Sequence, residues 1–354
     1  MYSEEGEPVK VTRNRVLKTV ATFSVGLIIL LVLIRQVGFE EAYTALQKAD
    51  LIFVFFGMLA SLFSLFLAGI RWRVILNDKY TSVDVKSLYL SLLSGAFVNN
   101  ITPAGKGGGE PLRAYLLSKF TGLDGGKVFA TVISDRIFDT LPYVLLGYFG
   151  IIEIAYFWNV PRAVVVTLSI ALVFLIAILA IVLYLLFNIE HGKKLVMRIL
   201  GIIGRFMPDK VQKYEDKLED TLELFNNTIR EIAHNRKKVV YATTLSLSIW
   251  VFWILRTYLV FLAFDTTVSF AVLAVVAVVA SFMGMVPFSP GGFGTTEGAM
   301  ILLFSGFGIE PSIAVGATLV DRVLSYWLPI VLGGLTLGVS RRVISRNKNT
   351  AGKM

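Results

Sequence analysis

The chain has 354 residues, 55% hydrophobic and 17% charged, and its mean hydropathy of +0.71 excludes an ordinary soluble domain and points to a bilayer. It contains no cysteine, which excludes disulfides, thiolate nucleophiles and cysteine metal sites; the two histidines, His191 and His234, lie in a polar stretch and read as solvated residues, not metal ligands. The net charge of +9 does not indicate nucleic acid, because the basic residues sit beside apolar runs, where they report topology.

Apolar runs at 16–34, 51–70, 163–187 and 239–264 reach or exceed the roughly 18–20 residues that cross a hydrocarbon core of about 30 Å. The first follows Lys10, Arg13, Arg15 and Lys18 and shows no cleavage site before Arg35, so it is expected to remain as span 1 with the amino terminus cytoplasmic. An outer segment with Glu40, Glu41 and Asp50 follows, and span 2, over about 51–73, returns to a basic loop with Lys79 and Lys86.

Residues 87–123 hold one apolar arm, the glycine-rich PAGKGGGE, and a second arm, EPLRAYLLSKF. About eleven helical residues rise only about 16 Å, half the core, so the segment is expected to be a re-entrant hairpin. Spans 3 (about 128–157) and 4 (about 163–187) lead to the basic segment 188–238. There Val211, Tyr214, Leu218, Leu222, Phe225, Ile229 and Ile232 recur at helical spacing opposite Glu215 and Glu219, which predicts an amphipathic linker helix on the cytoplasmic membrane surface. Span 5 (about 239–264), a second broken segment (270–308) and span 6 (about 312–339) follow, and the tail carries Arg341, Arg342, Arg346, Lys348 and Lys353. Both termini are therefore expected in the cytoplasm.

The polar residues of the membrane segments repeat. Pro103, Gly105, Gly107 and Glu110 in one copy and Pro290, Gly292, Gly294 and Glu297 in the other both read P-x-G-x-G-x-x-E. Each is followed by Asp-Arg and a proline: Asp135, Arg136 and Pro142, then Asp321, Arg322 and Pro329. The interval from Glu to Asp is 25 positions in the first and 24 in the second. A weaker match places Arg71 and Arg256 about 40 positions before the two glutamates. Three spans separate the copies, an odd number, so they should have opposite orientation, with a substrate site near the midplane where the helices break.

The expected fold is an all-α polytopic membrane protein with about six spanning helices and two oppositely oriented re-entrant broken-helix hairpins forming an inverted repeat. Its parts are a tail and first span (1–50), repeat A (51–160), a connecting span with the amphipathic helix (161–238), repeat B (239–340) and a basic tail (341–354).

The stretch NNITPAGKGGGEPLRAYLL, then ATVISDRIFD, PFSPGGFGTTEGAM and LVDR, resembles the flippase-like transmembrane domain of lysylphosphatidylglycerol synthases and of related stand-alone bacterial and archaeal membrane proteins. The resemblance covers most of the chain and implies a fold that moves lipids or lipid-linked groups between leaflets. No counterpart of the soluble aminoacyltransferase domain is read in the chain, so synthase activity is not carried over.

Ionisable residues at membrane depth cost several kcal/mol unless paired or hydrated. Taken singly, Glu110, Asp135, Arg136, Asp139, Glu297, Asp321 and Arg322 admit a structural reading: Arg136 and Asp139 are positioned to pair along one helix, and Glu110 before Pro111 favours a helix start. As a duplicated set they point to a substrate site. In that reading Arg113, Arg136 and Arg322, with the amino-terminal ends of the short arms, hold a phosphate-bearing headgroup, and Glu110 and Glu297 hold the arginines or couple transport to protons or another ion. Asn99 and Asn100 precede the first break, and Arg256 stands in the aromatic run WVFWILRTYLVF. The substrate is expected to be a phospholipid or polyprenyl-phosphate lipid whose chains stay in the membrane. PAGKGGGE lacks the ending of a nucleotide-binding loop, so ATP-driven transport is not indicated and no cofactor is expected. The competing classes are a membrane-embedded enzyme on a similar lipid, for which no convincing nucleophile stands out, and an ion channel.

Overall fold

The computed structural model describes residues 38–76, 83–102, 108–157, 162–188, 223–285 and 289–351, with isolated positions between 24 and 36 and between 190 and 198. Among them every regular element is a helix, as expected where hydrocarbon leaves backbone amides no partner but their own chain. Four helical stretches are long and apolar enough to cross a membrane: Leu51–Leu76, Val165–Leu185, Arg236–Leu262 and Pro311–Ile344. Isolated residues of the expected first span, Ser24, Leu27 and Val32 among them, are helical; most of that span lies outside the described residues.

A short helix α1 (Phe39–Gln47) leads to α2 (Leu51–Leu76), which presents Phe55, Phe56 and Phe66 outward. The first hairpin is α3 (Val85–Ile101) and α4 (Gly109–Thr121). Asp84 caps α3 by accepting from the Ser87 amide, and Gly122 ends α4 at φ 74°, a conformation glycine adopts without a steric cost. At 17 and 13 residues the arms rise roughly 26 and 20 Å, short of the core thickness.

Helix α5 (Gly125–Phe157) contains Pro142 and, at 33 residues, runs roughly 50 Å. It is followed by α6 (Arg162–Phe187), whose Ile170, Phe174 and Ile181 are exposed. Repeat B follows the same order. It comprises α7 (Arg236–Leu262), a hairpin of α8 (Phe270–Met285) and α9 (Thr295–Gly306) joined through a tight turn at Pro290–Gly292, and a last rod built from α10 (Pro311–Arg322), a π turn (Val323–Trp327) and α11 (Leu328–Ala351).

The copies run antiparallel. The Asp50 amide at the start of α2 donates to the Ala263 carbonyl at the end of α7 (2.8 Å), and Arg71 Nη1 near the end of α2 reaches Ser246 Oγ in the first half of α7 (2.9 Å). Between these points the rings of Phe63 and Phe252 meet at 4.6 Å. The hairpins are exchanged between repeats: α3 packs on α11, and α8 packs on α5. Gly147 and Gly334, each five positions after its repeat's proline, stand at these two contacts, where a Cβ would lie 3.5 Å from Val278 and 3.4 Å from Phe97. Small residues at such crossings let membrane helices approach closely.

The expected amphipathic helix packs, in its described part, on other helices. Its residues Val211 to Leu222 lie outside the described residues, but 223–234 are helical, and Ile232 packs with Ile75, Phe138 and Ala242. Ile229 and Ile232 are each 4% exposed. The apolar stripe of this part is therefore spent on the end of α2, the first half of α5 and the start of α7.

Candidate functional site

Each repeat builds the same two ion pairs from three elements. In repeat A, Arg71 Nε on α2 meets Asp135 Oδ1 on α5 at 2.8 Å, and Arg136 Nε meets Glu110 Oε1 on α4 at 2.7 Å. In repeat B, Arg256 Nε on α7 meets Asp321 Oδ1 at 2.9 Å, and Arg322 Nε meets Glu297 Oε1 at 2.6 Å. The adjacent Asp-Arg residues of the sequence thus divide their work, the aspartate reaching back to the first span and the arginine across to the hairpin. Pairing offsets part of the cost of placing charges within such helices.

The glutamates sit in the first turns of α4 and α9, where a carboxylate meets the positive end of the helix. Glu297 Oε2 accepts from the Gly294 amide at 2.6 Å, one half of a capping box. In repeat A the Gly109 amide donates to Asn99 Oδ1 at 2.7 Å, and Asn99 Nδ2 donates to Glu110 Oε1 at 3.1 Å. One amide at each arm end is therefore already engaged, Gly109's by Asn99 and Gly294's by Glu297.

The end of α3 meets the Pro290–Gly292 turn of the second hairpin. Tyr326, in the π turn, places its hydroxyl 3.1 Å from the carbonyls of both Asn100 and Pro290, and a Cβ on Gly291 would lie 2.8 Å from the Asn100 oxygen. Beside this junction is a cavity of about 700 Å³ lined by Asn99, Asn100, Glu110, Arg113, Asp135, Arg136, Asp139, Arg256, Asp321 and Arg322. Glu297 lies behind Arg322, 1% exposed. Pro290, Gly292 and Gly294 shape the loop, of which Gly291 reaches the cavity. Pro103, Gly105 and Gly107 lie outside the described residues.

Repeat A carries two further charges. Asp139 accepts from Arg71 Nη1 at 2.8 Å and lies 3.6 Å from Arg136 Nη1, which links the two ion pairs. Arg113 donates from Nη1 to Asp135 Oδ2 at 2.8 Å, and its guanidinium lies 3.7 Å over the Trp72 ring, a cation–π contact. Arg113 is 2% exposed, and its Nε and Nη2 have no hydrogen-bond partner, nor do Arg322 Nη2 and Glu110 Oε2. The Arg136 side chain is 43% exposed against 11% for Arg322.

Sequence reasoning placed Arg71 outside the site although the repeat offset pointed to it. It also missed Trp72, Thr257 and Tyr326. Thr257 donates to Asp321 Oδ1 at 2.9 Å, where repeat A has Trp72 in the equivalent place, directly after the arginine. Tyr326 carried no signal, since the position four after Arg136 is Thr140.

The sequence profile of the lysylphosphatidylglycerol synthase TM region matches residues 19–333. Among curated proteins, a UPF0104 membrane protein of Methanothermobacter thermautotrophicus is 33% identical, over 87% of this chain and 91% of its own length. A UPF0104 membrane protein of Methanocaldococcus jannaschii is 30% identical, over 96% of this chain and 98% of its own. One from Pyrococcus horikoshii is 27% identical, over 90% and 96%.

Proposed function

The chain belongs to the family of the lysylphosphatidylglycerol synthase transmembrane region, and we propose that it is a translocator that carries a phosphate-bearing lipid between leaflets. The observation that carries this reading is the junction of two antiparallel broken-helix repeats on one cavity of about 700 Å³ with five arginines in its wall, two of which, Arg113 and Arg322, keep guanidinium nitrogens without a partner. A site at the repeat interface, formed where helices break, is the arrangement by which inverted-repeat transporters expose one site to either side in turn. Arginine suits a phosphate because its planar fork offers several donors without losing its charge.

In this mechanism Arg136, the most exposed cavity arginine, meets the headgroup first, and Glu110 and Asp139 hold its guanidinium between visits. Arg71 and Arg256 stay paired to Asp135 and Asp321 and keep the frame of each repeat. Glu110 holds Arg136 through Oε1 and keeps Oε2 buried without a partner. The test is leaflet exchange of headgroup-labelled phospholipid and of polyprenyl phosphate in liposomes with the purified protein. Exchange should rise over protein-free liposomes and fall at least tenfold in Arg136→Gln; lipid that is chemically converted instead of moved would replace this reading with the enzyme.

A further inference from the structure

The two halves of the cavity share a frame but not a chemistry. Arg113 stands three positions after Glu110, and the residue three after Glu297 is Met300; Asp139 stands four after Asp135, and the residue four after Asp321 is Ser325. All four line the same cavity. The frame does not need the extra pair, because Asp321 is satisfied by Arg256 and Thr257 without any counterpart of Arg113. Burying a further arginine and aspartate costs free energy that repeat B avoids, so repeat A holds them for something other than folding.

Repeat B departs in the opposite direction. Trp253, Phe304 and Met300 line its side with Val276 and Leu273 of α8, and among the described residues its lining ions are Arg256, Asp321 and Arg322, one arginine and one carboxylate fewer than repeat A's Arg71, Arg113, Arg136, Glu110, Asp135 and Asp139 once Glu297 behind Arg322 is counted. Apolar side chains line both halves, Leu92, Phe129 and Ile133 in repeat A and Leu273, Val276 and Met300 in repeat B, so a headgroup held at the ions has apolar surface next to it, which a cavity serving a headgroup alone would not need. A molecule with an anion at one end and hydrocarbon beginning next to it matches both at once.

We infer that the site has a polarity: the substrate's anionic group is taken by repeat A alone, at Arg113 and Arg136, and the first part of its hydrocarbon lies inside the protein against the Trp253 and Met300 wall of repeat B. This rests on the translocator reading for its context and adds the substrate class, an anionic amphiphile whose apolar part starts close to the phosphate. Arg113 is the specificity-determining residue. Stacking on Trp72 fixes its plane, one nitrogen is spent on Asp135, and Nε and Nη2 are buried beside the cavity without a partner, so a small turn of the guanidinium brings them to the ligand.

The test measures binding to the purified protein in zwitterionic lipid nanodiscs by native mass spectrometry, with decyl phosphate, glycerol 3-phosphate and inorganic phosphate as probes and decanol as the control for partitioning. Decyl phosphate should bind at least 100-fold more tightly than glycerol 3-phosphate, and decanol should not compete. Arg113→Met, which gives repeat A the arrangement repeat B already tolerates, should cost at least tenfold for decyl phosphate, and Trp253→Ala should cut the gain that comes from the chain. Arg322→Met should cost less than Arg113→Met. Decyl phosphate and glycerol 3-phosphate binding within threefold of each other in the unmutated protein would overturn the inference, whatever the variants do, as would an Arg322→Met loss larger than that of Arg113→Met. If these results hold but no lipid crosses between leaflets, the translocator reading fails and the polarity of the site stands; if lipid crosses but the probes bind alike, the reverse is true.

Discussion

Glu110 and Glu297 occupy corresponding places and hold corresponding arginines, yet they should respond differently to removal. Glu297 is 1% exposed, its partner's side chain is 11% exposed, and it also receives the Gly294 amide. Glu297→Ala leaves a buried arginine and an amide without partners, a loss of about 3–5 kcal/mol. Arg136 keeps 43% of its side chain exposed and retains Asp139, so water and a second carboxylate compensate in Glu110→Ala, and its loss should be about 1–2 kcal/mol smaller. Thermal unfolding of the two variants in the same detergent gives the comparison; an equal loss would show that the two pairs carry equal weight. Part of this was legible in the chain, since the paired motifs named both glutamates and both Asp-Arg steps. The difference between them was not, because exposure depends on residues brought from other helices.

At the scale of elements, the two hairpins depend on close backbone approach and on caps. A Cβ on Gly109 would lie 2.0 Å from the Gly95 carbonyl oxygen, so Gly109→Ala must part the arms of the first hairpin and should cost about 3 kcal/mol, the upper end for overpacking. Gly122, at φ 74° with nothing near its Cβ position, is a control: Gly122→Ala meets only the backbone penalty of roughly 1–2 kcal/mol. At the start of the same hairpin, the Ser87 amide and hydroxyl, both 2.7 Å from the Asp84 carboxylate, hold that group below the usual carboxylate range. A carboxylate with a depressed folded value contributes its stability above its unfolded value, near 3.9, and loses it as pH falls through the folded one. The advantage of the unmutated protein over Asp84→Asn should therefore be full at neutral pH and narrow progressively below about pH 4, measured by unfolding across that range. These hairpins were readable from arm length and the glycine-rich breaks. The docking of 223–234 on the end of α2, the first half of α5 and the start of α7 was not, because an apolar stripe records that a surface must be covered and not which surface covers it.

For the whole molecule, the antiparallel repeats place the start of the first hairpin and the α7–α8 connection on opposite membrane faces. The absence of cysteine makes this directly measurable. Val85→Cys, at an exposed position, and Thr267→Cys, in the exposed loop before α8, should react with a membrane-impermeant maleimide from opposite sides of sealed vesicles. Labelling of both from one side would contradict the inverted arrangement.

The chain by itself determined the membrane class, the breaks in the two hairpins and the correspondence between repeats, because these are written in apolar length, glycine placement and spacing along one polymer. Only the tertiary structure decided that Arg71 pairs with Asp135 beside the cavity, that Tyr326 bridges the end of α3 and the Pro290–Gly292 turn, and that Arg113 and Asp139 reach the shared cavity where repeat B has Met300 and Ser325. Arg71 and Asp135 are 64 positions apart, and Tyr326 and Asn100 are 226 apart. No periodicity spans such distances. Packing of α3 on α11 and α8 on α5 brings the hairpins together, and the low-dielectric interior then makes each arginine's choice of partner decisive.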